Sequence, residues 1–207
     1  MFAMGSTDLS REVEEIRRRG VEVGEQAVGN REGRDGSSGY SWEAASLPKQ
    51  TTPGSETFII QHHVSMSERY HEESKRHPNG VVGVESLALA VTDVSAAAKT
   101  WEHVLGYTPQ SIEERASEGG YRARFQLGGL KLDLVDGVEP IGLPVALTLR
   151  VERLDATASW LRERGIMFVR CQFRLMENTL FQVTLMGIFT FSTKRAIIFG
   201  TTLLKKE

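Results

Sequence analysis

The sequence predicts an α+β protein assembled from a repeated β-α-β-β-β unit, and three observations predict it. First, one pattern occurs three times: a short apolar strand ending in a polar pair, a helix of about three turns, then a glycine. The copies are MGSTDLSREVEEIRRRGVEV from Met4, LAVTDVSAAAKTWEHVLGYTP from Leu89 and LRVERLDATASWLRERGIMFV from Leu149. Second, glycine-bearing turns divide the β-prone chain behind the helices into short strands. Third, the 207 residues have an ordinary composition and suffice to fold without disulfide staples.

In the first copy Leu9, Val13 and Ile16 recur at helical spacing with charges between them, and Gly20 sits where a left-handed cap is wanted. Strands are expected at VEVGEQA, SGYSWEAAS and TFIIQHH, with NREGRDGSSG (Asn30 to Gly39) as a flexible loop between them. Met1 already falls inside the expected leading strand, so residues 1–61 read as a truncated module. Residues 62–79, HHVSMSERYHEESKRHPN, show no usable period and read as a solvated linker.

The second copy is complete from Val82 to Asp136. Val94, Ala97, Ala98, Trp101 and Leu105 form its apolar stripe, Asp93 or Ser95 caps the helix start, and Gly106 closes it. The strands TPQSIEE, YRARFQLG and LKLDLVD follow. In the third copy PVALTLRVE precedes a helix with the stripe Leu154, Ala158 and Leu161 and the stop Gly165, and IMFVR and RLMENTLFQVTLMG follow it. Residues 80–186 are therefore expected to hold the paired modules.

Residues 187–207 form an atypical tail. Six of the nine phenylalanines lie beyond Gly165, and GIFTFSTKRAIIFGTTLLKKE matches nothing in the other copies. The tail is expected to add an edge strand or meet a partner, or else to pack poorly as the product of a shifted gene boundary; the second reading is preferred. Low-charge runs of this kind associate edge to edge.

Twenty-five basic residues against 27 acidic ones leave a formal charge of −2, which gives no electrostatic reason to expect nucleic acid or an anionic membrane as partner. The uncharged run from Asn178 to Thr193 is shorter than the ~20 apolar residues of a spanning helix, and it reads as strand. The start of the chain shows no secretory pattern, and a lone Cys171 closes no intramolecular disulfide, so a cytoplasmic protein is expected. No nucleophile elbow, phosphate-cradling loop or dinucleotide fingerprint is present. Cys171, between Arg170 and Arg174, reads as an ordinary strand cysteine.

A strand of the type SLALAVTDV entering a helix, a later strand of the type LKLDLVD, and the run RGVEVGE, RDG, a Trp-bearing strand and FIIQ together resemble the vicinal oxygen chelate superfamily, and within it the glyoxalase-like domain proteins. The resemblance covers about Met4 to Arg170. It implies βαβββ modules paired into a curled mixed sheet enclosing a cleft, with a divalent ion held by residues of the first and fourth strands of each module. Such an ion would polarise a chelating substrate, which takes several convergent ligands and an open position.

Carried across, the first-strand places hold Ser86 and Ala146, and the fourth-strand places hold Asp133 and, at best, Met186. A lone carboxylate does not make a transition-metal site. Alternation puts Lys131, Asp133 and Val135 on one face, so Asp133 either lines the cleft or faces water beside Lys131, and the second reading is preferred. His62, His63, His71 and His77 gather in the linker without the spacing of a zinc helix, and His103 reads as a surface residue. No metal ligand and no cofactor is assigned.

The expected function is therefore that of a glyoxalase-like domain protein without the usual metal site, at most binding a small apolar or amphipathic molecule. The candidate binding residues are Ser86, Leu87, Arg124, Gln126 and Asp133. The alternative is a divalent-metal-dependent lyase, isomerase or dioxygenase in which Asp133 joins histidines of the linker or of a partner chain. Whether the protein is an enzyme stays open at this point. A homodimer is a further expectation, because incomplete sheets leave edges that seek partners.

Overall fold

The structure, a computed structural model, describes residues 1–32, 39–65, 68, 76–115, 119–136, 142, 144–166, 168–174, 179–189 and 197–205. For the last three of these segments it describes the backbone and its pairing. The first module contains β1 (Phe2–Ser6), α1 (Leu9–Arg18), β2 (Gln26–Arg31), β3 (Tyr40–Leu47) and β4 (Thr57–His62). The second contains β5 (Val81–Ala90), α2 (Val94–Leu105), β6 (Ser111–Glu114), β7 (Tyr121–Leu127) and β8 (Leu130–Val135). The third contains β9 (Pro144–Val151), α3 (Leu154–Glu163), β10 (Phe168–Arg174), β11 (Thr179–Phe189) and β12 (Ile197–Lys205).

Every module closes in the same way. Its fourth strand returns beside its first and runs parallel to it, as β4 does with β1, β8 with β5 and β12 with β9. A helix makes this possible, since parallel neighbours need a crossover that a tight turn does not supply. The second and third modules then join first strand to first strand, β5 antiparallel to β9, in one eight-stranded sheet ordered β10-β11-β12-β9-β5-β8-β7-β6. The first module keeps a separate sheet, β1-β4-β3-β2.

Two of the helices are capped by aspartates, of which the sequence predicts Asp93. Asp8 accepts from the Arg11 amide at 3.1 Å and Asp93 from the Ala96 amide at 2.9 Å, each satisfying an orphan donor of a first turn. At the far end of α2, Gly106 takes φ +80°, which a side chain would disfavour, and its amide bonds the Glu102 carbonyl at 2.7 Å.

The apolar faces of α1 and α2 pack on β3–β4 and on β7–β8 respectively, and against each other, so one core serves two modules. It runs from Leu9, Val13 and Ile16 through Ile59 to Leu89, Trp101, Phe125, Leu132 and Leu134. Trp101 is fully buried, stacks on Phe2 at 6.0 Å and donates its indole N–H to the Pro53 carbonyl at 3.0 Å. Arg19 fastens the join by donating to the carbonyls of His103 and Val104 at 2.6 and 2.7 Å. A smaller core of Val151, Leu154 and Leu161 lies under α3.

Several expectations need correction. The expected leading strand of the first module is Phe2–Ser6, which pairs with Thr57–Gln61 over five residues, where β5 has ten. FAMGS carries no β-branched residue, and it is a strand because TFIIQH templates it. The second strand of that module is Gln26–Arg31, displaced from VEVGEQA, because Val21 and Val23 are used as core plugs below α1. His62 ends β4 and is no linker residue. Val104, with Leu105 only partly buried, completes the α2 stripe. The tail supplies β12, the missing fourth strand, inserted between β9 and β11 and not at the sheet edge.

The Asn178–Thr193 run does contain a strand, Thr179–Phe189, and no helix among the described residues is long and apolar enough to cross a membrane. His71, half of the 62–79 linker, and residues 33–38 of the NREGRDGSSG loop lie outside the described residues.

Candidate functional site on the eight-stranded sheet

Leu132 and Leu134 of β8 and Ala123 and Phe125 of β7 face α2 and are buried. Alternation therefore turns Lys131 and Asp133, and Arg122, Arg124 and Gln126, to the opposite, helix-free face. On β5 the alternation is interrupted by an irregularity between Val84 and Ser86. This β-bulge brings Glu85 to the same face as Ser86, and Thr148 and Arg150 reach it from β9.

The centre of this face is a bidentate ion pair. Arg124 Nε and Nη2 donate to Asp133 Oδ1 and Oδ2, both at 2.7 Å, with Asp133 only 6% exposed. The hydrogen bonds to Asp133 raise the Arg124 pKa further against the opposing effect of burial. The preferred water-facing reading of Asp133 is thus overturned: Arg124, directly opposite it across the β7–β8 ladder, draws it in.

Around the pair, the Ser86 hydroxyl donates to Thr148 Oγ1 at 2.8 Å, both side chains being buried. Lys131 Nζ and Arg150 Nη1 converge on the two oxygens of Glu85 at 2.7 and 3.4 Å. Farther out Arg122 donates to Glu113, and that bond holds the Glu113 carboxyl below the usual range. Among the described residues the face presents Arg122, Arg124, Lys131 and Arg150 against Glu85, Glu113 and Asp133, one positive charge in excess.

Of the five residues singled out from sequence, Ser86, Arg124 and Asp133 come together here. Gln126 shares the face but donates to the carbonyls of Gly128 and Leu130, so its side chain closes the β7–β8 turn. Leu87 does not belong: it points to the helix side and packs against the main core, because adjacent strand residues face opposite ways. Sequence reasoning missed Glu85, Lys131, Thr148 and Arg150. The alternation of Arg122, Arg124 and Gln126 was a readable signal; the bulge that turns Glu85 inward was not.

The metal that the resemblance implies was tested against the donor set. Ser86 already donates to Thr148, Ala146 has no ligand atom, and both Asp133 oxygens accept from a cation. The fourth-strand place in the third module is not Met186, which lies on the third strand β11. In register with Thr148, as Asp133 is with Ala88, stands Thr202. These residues do not fit a divalent-metal site, and among the described residues no three of His, Cys, Asp and Glu gather to make another.

The corresponding face of the first sheet has a different character. Phe58 and Ile60 turn away from the buried Ile59, and Trp42 and His62 lie beside them with rings 6.4 Å apart. Trp42 covers Gly29, where an added Cβ would collide with the indole. The 510 Å³ groove of the molecule lies elsewhere, along β1 and between α1 and the β7–β8 turn.

Comparison with known proteins follows the same lines. A family model described as a glyoxalase-like domain matches residues 1–105, half of the chain, ending with α2. No curated protein sequence gives a significant match. Among solved structures, a hypothetical protein from Staphylococcus aureus superposes with TM-score 0.61 at 11% identity, covering 98% of this chain, which in turn spans only 64% of that one. A mutant 4-hydroxymandelate synthase from Streptomyces coelicolor gives TM-score 0.60 at 13% identity, over 98% of this chain and 69% of that one. Methylmalonyl-CoA epimerase from Mycobacterium tuberculosis gives 0.50 at 20% identity, over 66% and 96% respectively. At such identities the likeness establishes the fold.

Proposed function

The chain belongs to the glyoxalase-like domain family, and on that premise we propose that it binds a small anionic molecule on the helix-free face of its eight-stranded sheet, using guanidinium and ammonium groups where a divalent ion is implied for the superfamily. The observation that carries this reading is the bidentate Arg124–Asp133 pair. It consumes the one carboxylate at a ligand place and holds a permanent cation beside it.

Lys131 and Arg150 share Glu85, so an incoming carboxylate or phosphate has a half-compensated cationic pair to displace Glu85 from or to join. The excess positive charge among the described residues and the ion pair at the centre favour an anion over the apolar or amphipathic ligand expected from sequence. Arg suits the role because its planar fork matches oxyanions.

Calorimetric titration of the full chain with acetate, oxalate and inorganic phosphate tests this. The expected result is binding of at least one of them that weakens about tenfold, roughly 1.4 kcal/mol, in Arg150→Ala and is unchanged by chelator. No binding of any of the three, together with a stoichiometric divalent metal that Asp133→Asn releases, would overturn it in favour of the metal-dependent alternative.

A further inference from the structure

We infer that the groove between the first two modules is a second binding site, and that it takes a small amphipathic amine. The groove measures 510 Å³, within the range of cavities that accept a small organic ligand. Leu127 and Leu130 line it from the helix side of the eight-stranded sheet, the side from which Arg124, Lys131 and Asp133 turn away. It is therefore separate from the ionic face.

Its walls are apolar for most of their extent. Phe2 and Met4 of β1, Leu105 at the end of α2 and Leu127 before the β7–β8 turn pack on the main core yet stay partly exposed along the groove, with the more deeply buried Ile16 and Ile59 behind them. A hydrocarbon body seated there removes this surface from water, a gain that needs no polar partner.

The charges on the α1 wall select the head group. Glu12, Glu15 and Arg19 line the groove along about two turns of the helix. Two of them are already engaged: Glu15 holds Arg11 at 3.1 Å, and Arg19 commits Nε and Nη2 to the carbonyls of His103 and Val104. Glu12 is half-buried, and its carboxylate has no hydrogen-bond or ion-pair partner among the described residues. An ammonium group beside it forms a charge-assisted hydrogen bond, whereas a carboxylate in the same place meets like charge. The ligand class is thus opposite in sign to the one proposed for the ionic face.

Calorimetric titration of the full chain with octylamine, octanol and octanoate tests the site. Octylamine should bind at a single site, octanol about tenfold more weakly, and octanoate more weakly still. Glu12→Gln should bring octylamine down to the affinity of octanol without changing octanol itself. A carboxylate in the first turn of α1 also favours the helix dipole, so this variant loses some stability whatever the groove does. The loss of preference for the amine belongs to the groove alone. Leu130→Trp, which fills the groove from its wall, should weaken octylamine and octanol alike. No saturable binding of octylamine, octanoate bound as tightly as octylamine, or an amine preference that survives in Glu12→Gln would overturn the inference.

Discussion

The first and second modules have one topology and opposite faces. Position by position, the register that puts Asp133 beside Ala88 puts Phe58 beside Ala3, and the Arg124 that faces Asp133 becomes the Ser46 that faces Phe58. Arg122, facing Val135, corresponds to Ala44, facing Ile60. The backbone therefore fixes which places look into a cleft, while the side chains at those places decide independently whether the cleft is ionic or aromatic. A fold-level likeness carries only the first of these.

The two faces stand back to back on one core, and Trp101 is where that dependence is strongest. Trp101→Ala removes a fully buried indole, its stack on Phe2 and its bond to Pro53. The expected loss is ~3–5 kcal/mol, which lowers the melting temperature by about 10 °C for a chain of this size. Scanning calorimetry should show one transition moving as a unit. Two transitions, only one of them displaced, would mean that the modules do not share a core.

The charged centre gives the next largest effect. Asp133→Leu strands the Arg124 guanidinium, whose side chain keeps 26% of its surface in solvent, at a cost of ~2–3 kcal/mol. The double change Arg124→Leu with Asp133→Leu removes both charges together and puts an apolar side chain where the first module has Phe58, and should return stability to within about 1 kcal/mol of the unaltered chain. Urea unfolding of the three variants checks this. Recovery of stability without recovery of anion binding would separate the pair's chemical role from its structural one.

How far such differences were readable depended on the kind of signal. The helices were legible because caps and a 3.6-residue stripe are local, as at Asp93 and Gly106. β12 was not, since its sequence resembles neither β5 nor β8; it becomes a strand through its parallel neighbour β9. On the site, period-two alternation correctly grouped Asp133, Arg124 and Ser86. It should also have excluded Leu87, since an adjacent residue shares a face only across a bulge, and the bulge lies on the other side of Ser86, at Glu85. Bulges are set by strand pairing, so that residue was beyond reach of the sequence alone.

The smallest effect separates the rim of the ionic face from its centre. Glu113 on the edge strand β6 has its carboxyl held below the ordinary value by Arg122, chiefly through their hydrogen bond. A depressed folded-state value means that the native chain gives up this proton more readily than the unfolded one. The contribution is therefore present above the unfolded value and lost as pH falls through the folded one. With 47% of the Glu113 side chain exposed, solvent and salt screen the pair to below about 1 kcal/mol. Glu113→Gln should flatten the acid limb of the stability profile slightly and leave neutral anion binding unchanged, and added salt should erase the difference. A large acid effect that resists salt would show the rim to be as closed to water as Asp133 and would dissolve the distinction between rim and centre.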